Sequence, residues 1–212
     1  MRDFFYYTQL ALEAIVGVFG VRAYEEPRHA VVDQLPKGVE VRHYESRLAA
    51  EVSMPGTEGR RGSDQAFQLL FAYIAGANSG REGSEKIAMT VPVEDASASR
   101  KIAMTVPVEA RSEIAGTRMR FFLPSRFTPE NAPAPSDKRV HVVPIAPEDL
   151  AVLRFSGAPD PGAIAAQRKL LLEALAGSRW QPAGEPVVLF YDAPFTLPFV
   201  RRNEVAVAVT EK

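Results

Sequence analysis

The 212-residue chain carries 25 basic and 26 acidic residues for a formal net charge of −1, and without a basic run to track a phosphate backbone it excludes nucleic acid as a partner. It contains no cysteine, which excludes disulfides, thiolate metal centres, a catalytic thiol and covalent CxxCH haem attachment. Hydrophobic residues make up 46% of the chain, enough for a sizeable core, and disorder is not expected.

Residues 4–19 (FFYYTQLALEAIVGVF) are apolar nearly all round. Sixteen residues interrupted by Glu13 fall short of the ~20 that cross a bilayer, so a membrane-spanning helix is not expected. Two readings stay open for residues 1–22. They form an apolar N-terminal helix that packs on the domain, a membrane surface or a second subunit, which leaves the protein cytoplasmic. Alternatively residues 1–23 are an export signal to the periplasm, with Val21 and Ala23 ahead of the cleavage point. Residues 23–212 then form one domain.

Within that domain, alternating runs over residues 38–52 predict two strands joined near residues 45–47. A helix over residues 63–77 follows, capped by Ser63 and burying Phe67, Leu70, Phe71 and Ile74. Ala66, Leu69 and Tyr73 widen its apolar arc to roughly 200°, beyond the ~100° or somewhat more that a one-sided helix needs. A planar ligand, the N-terminal segment or a second subunit would cover the excess. The phrase KIAMTVPVE then occurs twice, at residues 86–94 and 101–109. In the first copy Ile87, Met89, Val91 and Val93 share one face, and Lys86, Thr90 and Glu94 the other. Either the copies pair as a hairpin, with Ile87 facing Val108 and Val93 facing Ile102, or one copy enters the sheet while the other bulges out. Pro92 and Pro107 belong at edges or strand ends in both cases.

A strand over residues 118–123 completes the first half, and residues 125–137 form a linker. The second half repeats the order: strands over 140–143 and 150–155, a helix over 162–176 burying Ile164, Leu171, Leu172 and Leu175, and strands over 187–191 and 204–210. Two helices are too few to cover both sides of a parallel sheet. The expected fold is α+β: a distorted eight-stranded antiparallel β-barrel from two pseudo-symmetric halves, with two flanking helices and an N-terminal helix. The sequence holds no GxSxG, HExxH, Walker or dinucleotide-binding pattern, so an enzyme is not expected.

YEEP (residues 24–27), VEVRHYE (39–45), YIAGAN (73–78), KIAMTVPV, RFSG (154–157) and PFTLPFVRRNEV (194–205) stand in one order. Together they resemble the SOUL haem-binding proteins, from about residue 24 to the C-terminus. The resemblance implies the same duplicated barrel and noncovalent binding of haem or another tetrapyrrole, for haem carriage, buffering or sensing. His43 matches a proposed axial ligand of the haem iron in one branch of the family. Other members lack that histidine and bind through apolar contacts. The expected cofactor-binding residues are therefore His43 as the metal ligand, Leu69 and Tyr73 against the macrocycle, and Arg42 and Arg47, with Arg201 and Arg202, facing propionates. His29 and His141 are expected to be structural or solvated, and Trp180 to lie in the core or at its rim. Barrels of this type also resemble gyrase-inhibitor-like small-molecule-binding domains, some similar to hydrolases of bulky aromatic compounds. That alternative would show Glu51 or Glu204 facing an aromatic-lined cavity.

Overall fold

Val39 and Val41 alternate with Glu40 and Arg42, the period of two that a strand with two unlike faces requires. The computed structural model, which describes residues 25–56, 59–80, 83–96, 116–192 and 196–212, places this run in the second of twelve strands. These are β1 (His29–Leu35), β2 (Val39–Tyr44), β3 (Arg47–Pro55), β4 (Asn78–Ser79), β5 (Val93–Asp95), β6 (Gly116–Phe122), β7 (Ala134–Pro135), β8 (Val140–Ile145), β9 (Glu148–Phe155), β10 (Trp180–Pro182), β11 (Val187–Phe190) and β12 (Asn203–Glu211). The helices are α1 (Gly59–Ile74) and α2 (Pro161–Ala176).

Apart from the small β4·β7 pair, all strands join one antiparallel sheet in the order β1-β2-β9-β12-β11-β5-β6-β3-β8, with β10 added beside β12. Exchanging β2 with β8, β3 with β9, β5 with β11 and β6 with β12 reads the eight strands from β2 to β8 backwards unchanged. A pseudo-twofold axis therefore passes between β5 and β11, and the two halves predicted from the sequence are present. The sheet curls into a half-barrel of nine strands along this path and does not close as an eight-stranded ring. Its edges, β1 and β8, do not pair with each other among the described residues. The two-residue connections after Tyr44 and Ile145 carry each half across to the other flank, so Arg47 of β3 reaches Glu148 of β9. The N-terminal helix or export signal, and the second KIAMTVPVE copy, lie outside the described residues. The first copy supplies β5, which starts only after Pro92, as a residue without an N–H donor dictates.

Both helices pack on one face. Ala66, Leu70, Tyr73 and Ile74 of α1 cover Ala50, Val52, Met119, Phe121 and Val140. Ile164, Leu171, Ala174 and Leu175 of α2 cover Val41, Leu153, Val205 and Val207, with Trp180 in the same core. The opposite, concave face gathers Tyr44, Val91, Leu150, Val152, Leu189, Tyr191 and Ala206. Asp160 caps α2, accepting from the Gly162 and Ala163 amides at 2.9 Å ahead of Pro161.

α1 departs from its sequence prediction twice. It begins at Gly59, and Ser63, inside the helix, donates to Asp95 Oδ2 at 2.9 Å. Its buried stripe is also rotated: Ala66 and Tyr73 are inside, while Phe67 and Phe71 are 38% and 50% exposed. Ala66 has the smallest side chain of the apolar arc, so the helix approaches the sheet there, and the two rings are displaced to its flank, where Phe67 meets Phe121 edge-on.

Candidate functional site

The YIAGAN phrase ends α1. Gly76, at φ 118°, holds a conformation that other residues rarely adopt. Buried Asn78 donates to the Tyr73 and Glu85 carbonyls at 2.7 Å and accepts from the Glu85 amide at 2.9 Å. The buried Tyr73 hydroxyl donates to Pro133 O at 2.8 Å. Burial, and then the charge of Glu85, push its pKa up to about 12. Beside this helix end lies a cavity of about 280 Å³ lined by Leu69, Ala72, Tyr73, Ala77, Ser136, Asp137 and Val140. Asp137 is held by Arg139 at 2.6 and 2.9 Å, which draws its carboxyl down to about 2. Leu69 and Tyr73, predicted as a pair, thus share one cavity. Its far wall of Ser136, Asp137 and Val140 was missed, because no local pattern tells which helix a proline-rich linker will face.

Arg42 and Arg47 lie elsewhere, on the concave face. Arg42 donates to Glu40 Oε2 at 2.8 Å and to Glu204 Oε2 at 3.0 Å. Glu204 is fully buried and also accepts from Arg202 at 3.0 Å and from the Tyr191 hydroxyl at 2.7 Å. Burial alone would raise the Glu204 carboxyl, but Arg42 and Arg202 outweigh it and its pKa is lowered. Arg47 pairs with Glu148, and its guanidinium stands 4.3 Å and 4.9 Å from the centroids of the Tyr44 and Phe122 rings. Arg120 bridges Glu51 at 2.7 Å and Glu94 at 3.1 Å.

Residues 25–29 cross the mouth of this face. The Val91 amide donates to Glu25 O at 3.1 Å, Arg202 pairs with Glu26 at 3.1 Å, and the His29 ring lies 5.1 Å from that of Tyr44. The space left beneath them is about 10 Å³, room for about one water. The concave face is thus a filled ion-pair core. Its arginines are engaged with carboxylates of the same chain, and Glu51 and Glu204 are engaged with arginines.

His43 is half-exposed, with Nδ1 2.8 Å from Asp149 Oδ1 and Nε2 4.0 Å from Glu45 Oε1. It shares the sheet face of Val39 and Val41, which pack into the α2 core, whereas Leu69 and Tyr73 belong to the α1 core. The fold does not bring the imidazole into the α1 cavity. His29 and His141 are exposed, and Trp180 is buried with its Nε1 donating to Asp33 Oδ2 at 2.8 Å. Among the described residues no cluster of three or more His, Asp or Glu could hold a metal ion, and no helix is long and apolar enough to cross a membrane.

The family model described as SOUL heme-binding protein matches residues 24–208. No curated protein matches the chain. Among solved structures, the C-terminal domain of EcmrR is similar with a TM-score of 0.58 at 8% identity, over 82% of this chain and 98% of that one. A hydrolase from Listeria innocua is similar with a TM-score of 0.51 at 12% identity, over 84% of this chain and 94% of that one. At such identities the likeness is one of fold, the curled antiparallel sheet carrying two helices. The family match is of another kind, for it spans all six phrases, among them those that build β2, the end of α1, β5 and the start of β12. By that match the chain belongs to the SOUL haem-binding protein family.

Proposed function

We propose that the protein binds a haem-type tetrapyrrole, noncovalently and reversibly, in the cavity beside α1, and that it carries, buffers or senses that ligand. The observation supporting this is the meeting of Leu69, Ala72 and Tyr73 with Val140 around about 280 Å³ of open space in a domain of this family. Pockets that engulf a drug-sized ligand measure about 300–1,000 Å³. The cavity therefore grips one edge of a macrocycle and leaves the rest against the helix surface, which suits a ligand that must be released. Tyr73 is fixed in advance by Pro133, so little ordering accompanies binding. Affinity in this reading comes from apolar contact, and the imidazole of His43 is not needed for it. The carboxylates that would favour a hydrolase, Glu51 and Glu204, are instead held by arginines.

Titration of the full chain with hemin, followed by the Soret band, tests the reading. Saturable binding at micromolar hemin is expected, weakened at least tenfold by Leu69→Asp and unchanged by His43→Ala. No saturable shift, or equal affinity in Leu69→Asp, overturns it.

A further inference from the structure

Ser63, Phe67 and Phe71 follow one another at four-residue spacing and form a single line along α1, on the flank away from the Leu69 and Tyr73 cavity. Ser63 reaches Asp95 on β5, and the Phe67 ring lies 5.4 Å from that of Phe121 on β6. The line therefore faces the middle of the sheet. Its two rings are nearly parallel, 6.1 Å apart with 12° between planes, and both are more than a third exposed. A solvent-facing i, i+4 pair on a water-covered helix looks different. On α2 it is Lys169 and Glu173, an ion pair at 3.9 Å. Two stacked phenylalanines at such positions form a contiguous apolar patch on this flank of α1.

We infer that residues 4–19 of this same chain dock along the Phe67–Phe71 line. The described chain starts at Glu25, whose carbonyl accepts from the Val91 amide. Val91 lies between Ile87, whose amide donates to Ile74 O at the end of α1, and Val93, which packs in the α1 core. The N-terminal segment thus meets the domain at the end of the sheet where α1 stops, at Val91 of the concave-face cluster. From Ile74 back to Phe67 is about 10 Å of helix. Residues 20–24 span up to about 17 Å when extended, and residues 4–19 as a helix would run about 24 Å. The segment is longer than the Phe67–Phe71 line that it would cover. The segment FFYYTQLALEAIVGVF offers aromatic and aliphatic side chains with Glu13 as its one charge, which matches a line of two rings closed off by a hydroxyl. Docking within the chain hides both apolar surfaces at once, at an effective concentration that a second copy or a membrane does not match. This arrangement is independent of the tetrapyrrole reading, since the cavity lies on the other flank.

The chain has no cysteine, so Phe71→Cys, or Phe67→Cys as a second probe, gives one thiol whose labelling rate reports cover. The full chain carrying that probe is compared with the same chain carrying Leu12→Asp and Ile15→Asp. Labelling at least tenfold faster in the doubly charged variant, at rates independent of protein concentration, is expected. Equal rates with both probes overturn the inference. So does slow labelling that disappears on dilution, which assigns the cover to a second copy, or slow labelling seen only with phosphatidylcholine and phosphatidylserine vesicles, which assigns it to a membrane.

Discussion

Arg42 and Glu204 meet across an intervening strand: β9 lies between β2 and β12, yet the guanidinium Nη1 comes to 3.0 Å from Oε2. Both side chains are almost wholly removed from solvent. A buried pair of this kind is costly to break singly, because the partner keeps its charge without its solvent. Glu204→Gln leaves Arg42 and Arg202 facing a neutral amide and is expected to lower the free energy of unfolding by about 3–5 kcal/mol. Urea denaturation measures this. A triple replacement of Arg42, Arg202 and Glu204 by Met, Met and Leu should lose much less than the single change.

The two buried carboxylates of the concave face respond to acid with opposite signs. Glu204 has its pKa lowered in the fold, against burial, by Arg42 and Arg202. Its contribution is thus fully present above the ordinary value of 4.5 and is lost as pH falls through the lowered one. Glu94 has its pKa raised, chiefly by burial, with Arg120 and Arg118 opposing. It disfavours the fold while ionised and relieves that penalty on protonation. Glu94→Gln should therefore equal or exceed the parent in stability at pH 7, with Arg120 still paired to Glu51. That advantage should vanish below about pH 4.5, where both proteins carry a neutral group. Denaturation midpoints across pH 3–8 give the comparison.

Tyr73→Phe removes the donor from Pro133 O and leaves that carbonyl facing a ring edge. A loss of about 1–3 kcal/mol is expected from the unsatisfied acceptor. Because the ring itself lines the cavity, hemin affinity should fall by less than in Leu69→Asp, and thermal melting with hemin titration separates the two effects.

Gly116 opens β6 directly over β3. A Cβ there would stand 2.7 Å from Met54 O and 3.0 Å from Pro55 Cα, both backbone atoms that cannot swing aside. Gly116→Ala should cost about 1–3 kcal/mol through overpacking. Gly184→Ala, whose Cβ would meet nothing within 4 Å, is the control and should leave the melting temperature unchanged.

The period-two runs and the repeated order of elements made the duplicated sheet legible, since Val39, Val41 and Val205, Val207 each declare a buried face. The rotation of α1 was not legible. An apolar arc as wide as that of residues 66–74 can be turned either way, and the choice fell to Ala66 meeting a floor of large side chains from β6. Leu69 and Tyr73 could be grouped because they share one helix. Arg42 and Arg47 were expected to face propionates, and their ion-pair partners Glu204 and Glu148 were not legible, because they stand 162 and 101 residues away, beyond the range of any local pattern.

The position of the doubled phrase explains how the chain tolerates it. β5 starts in the first copy and β6 begins at Gly116, so the second copy lies, in sequence, between two neighbouring antiparallel strands. The copies start fifteen residues apart. Without that period, the twenty residues now separating Asp95 from Gly116 would be five. Two doublings of length raise the entropic penalty of closing the connection by only about 1.2 kcal/mol. A tandem copying event at that point leaves the strand pairings among the described residues in their order.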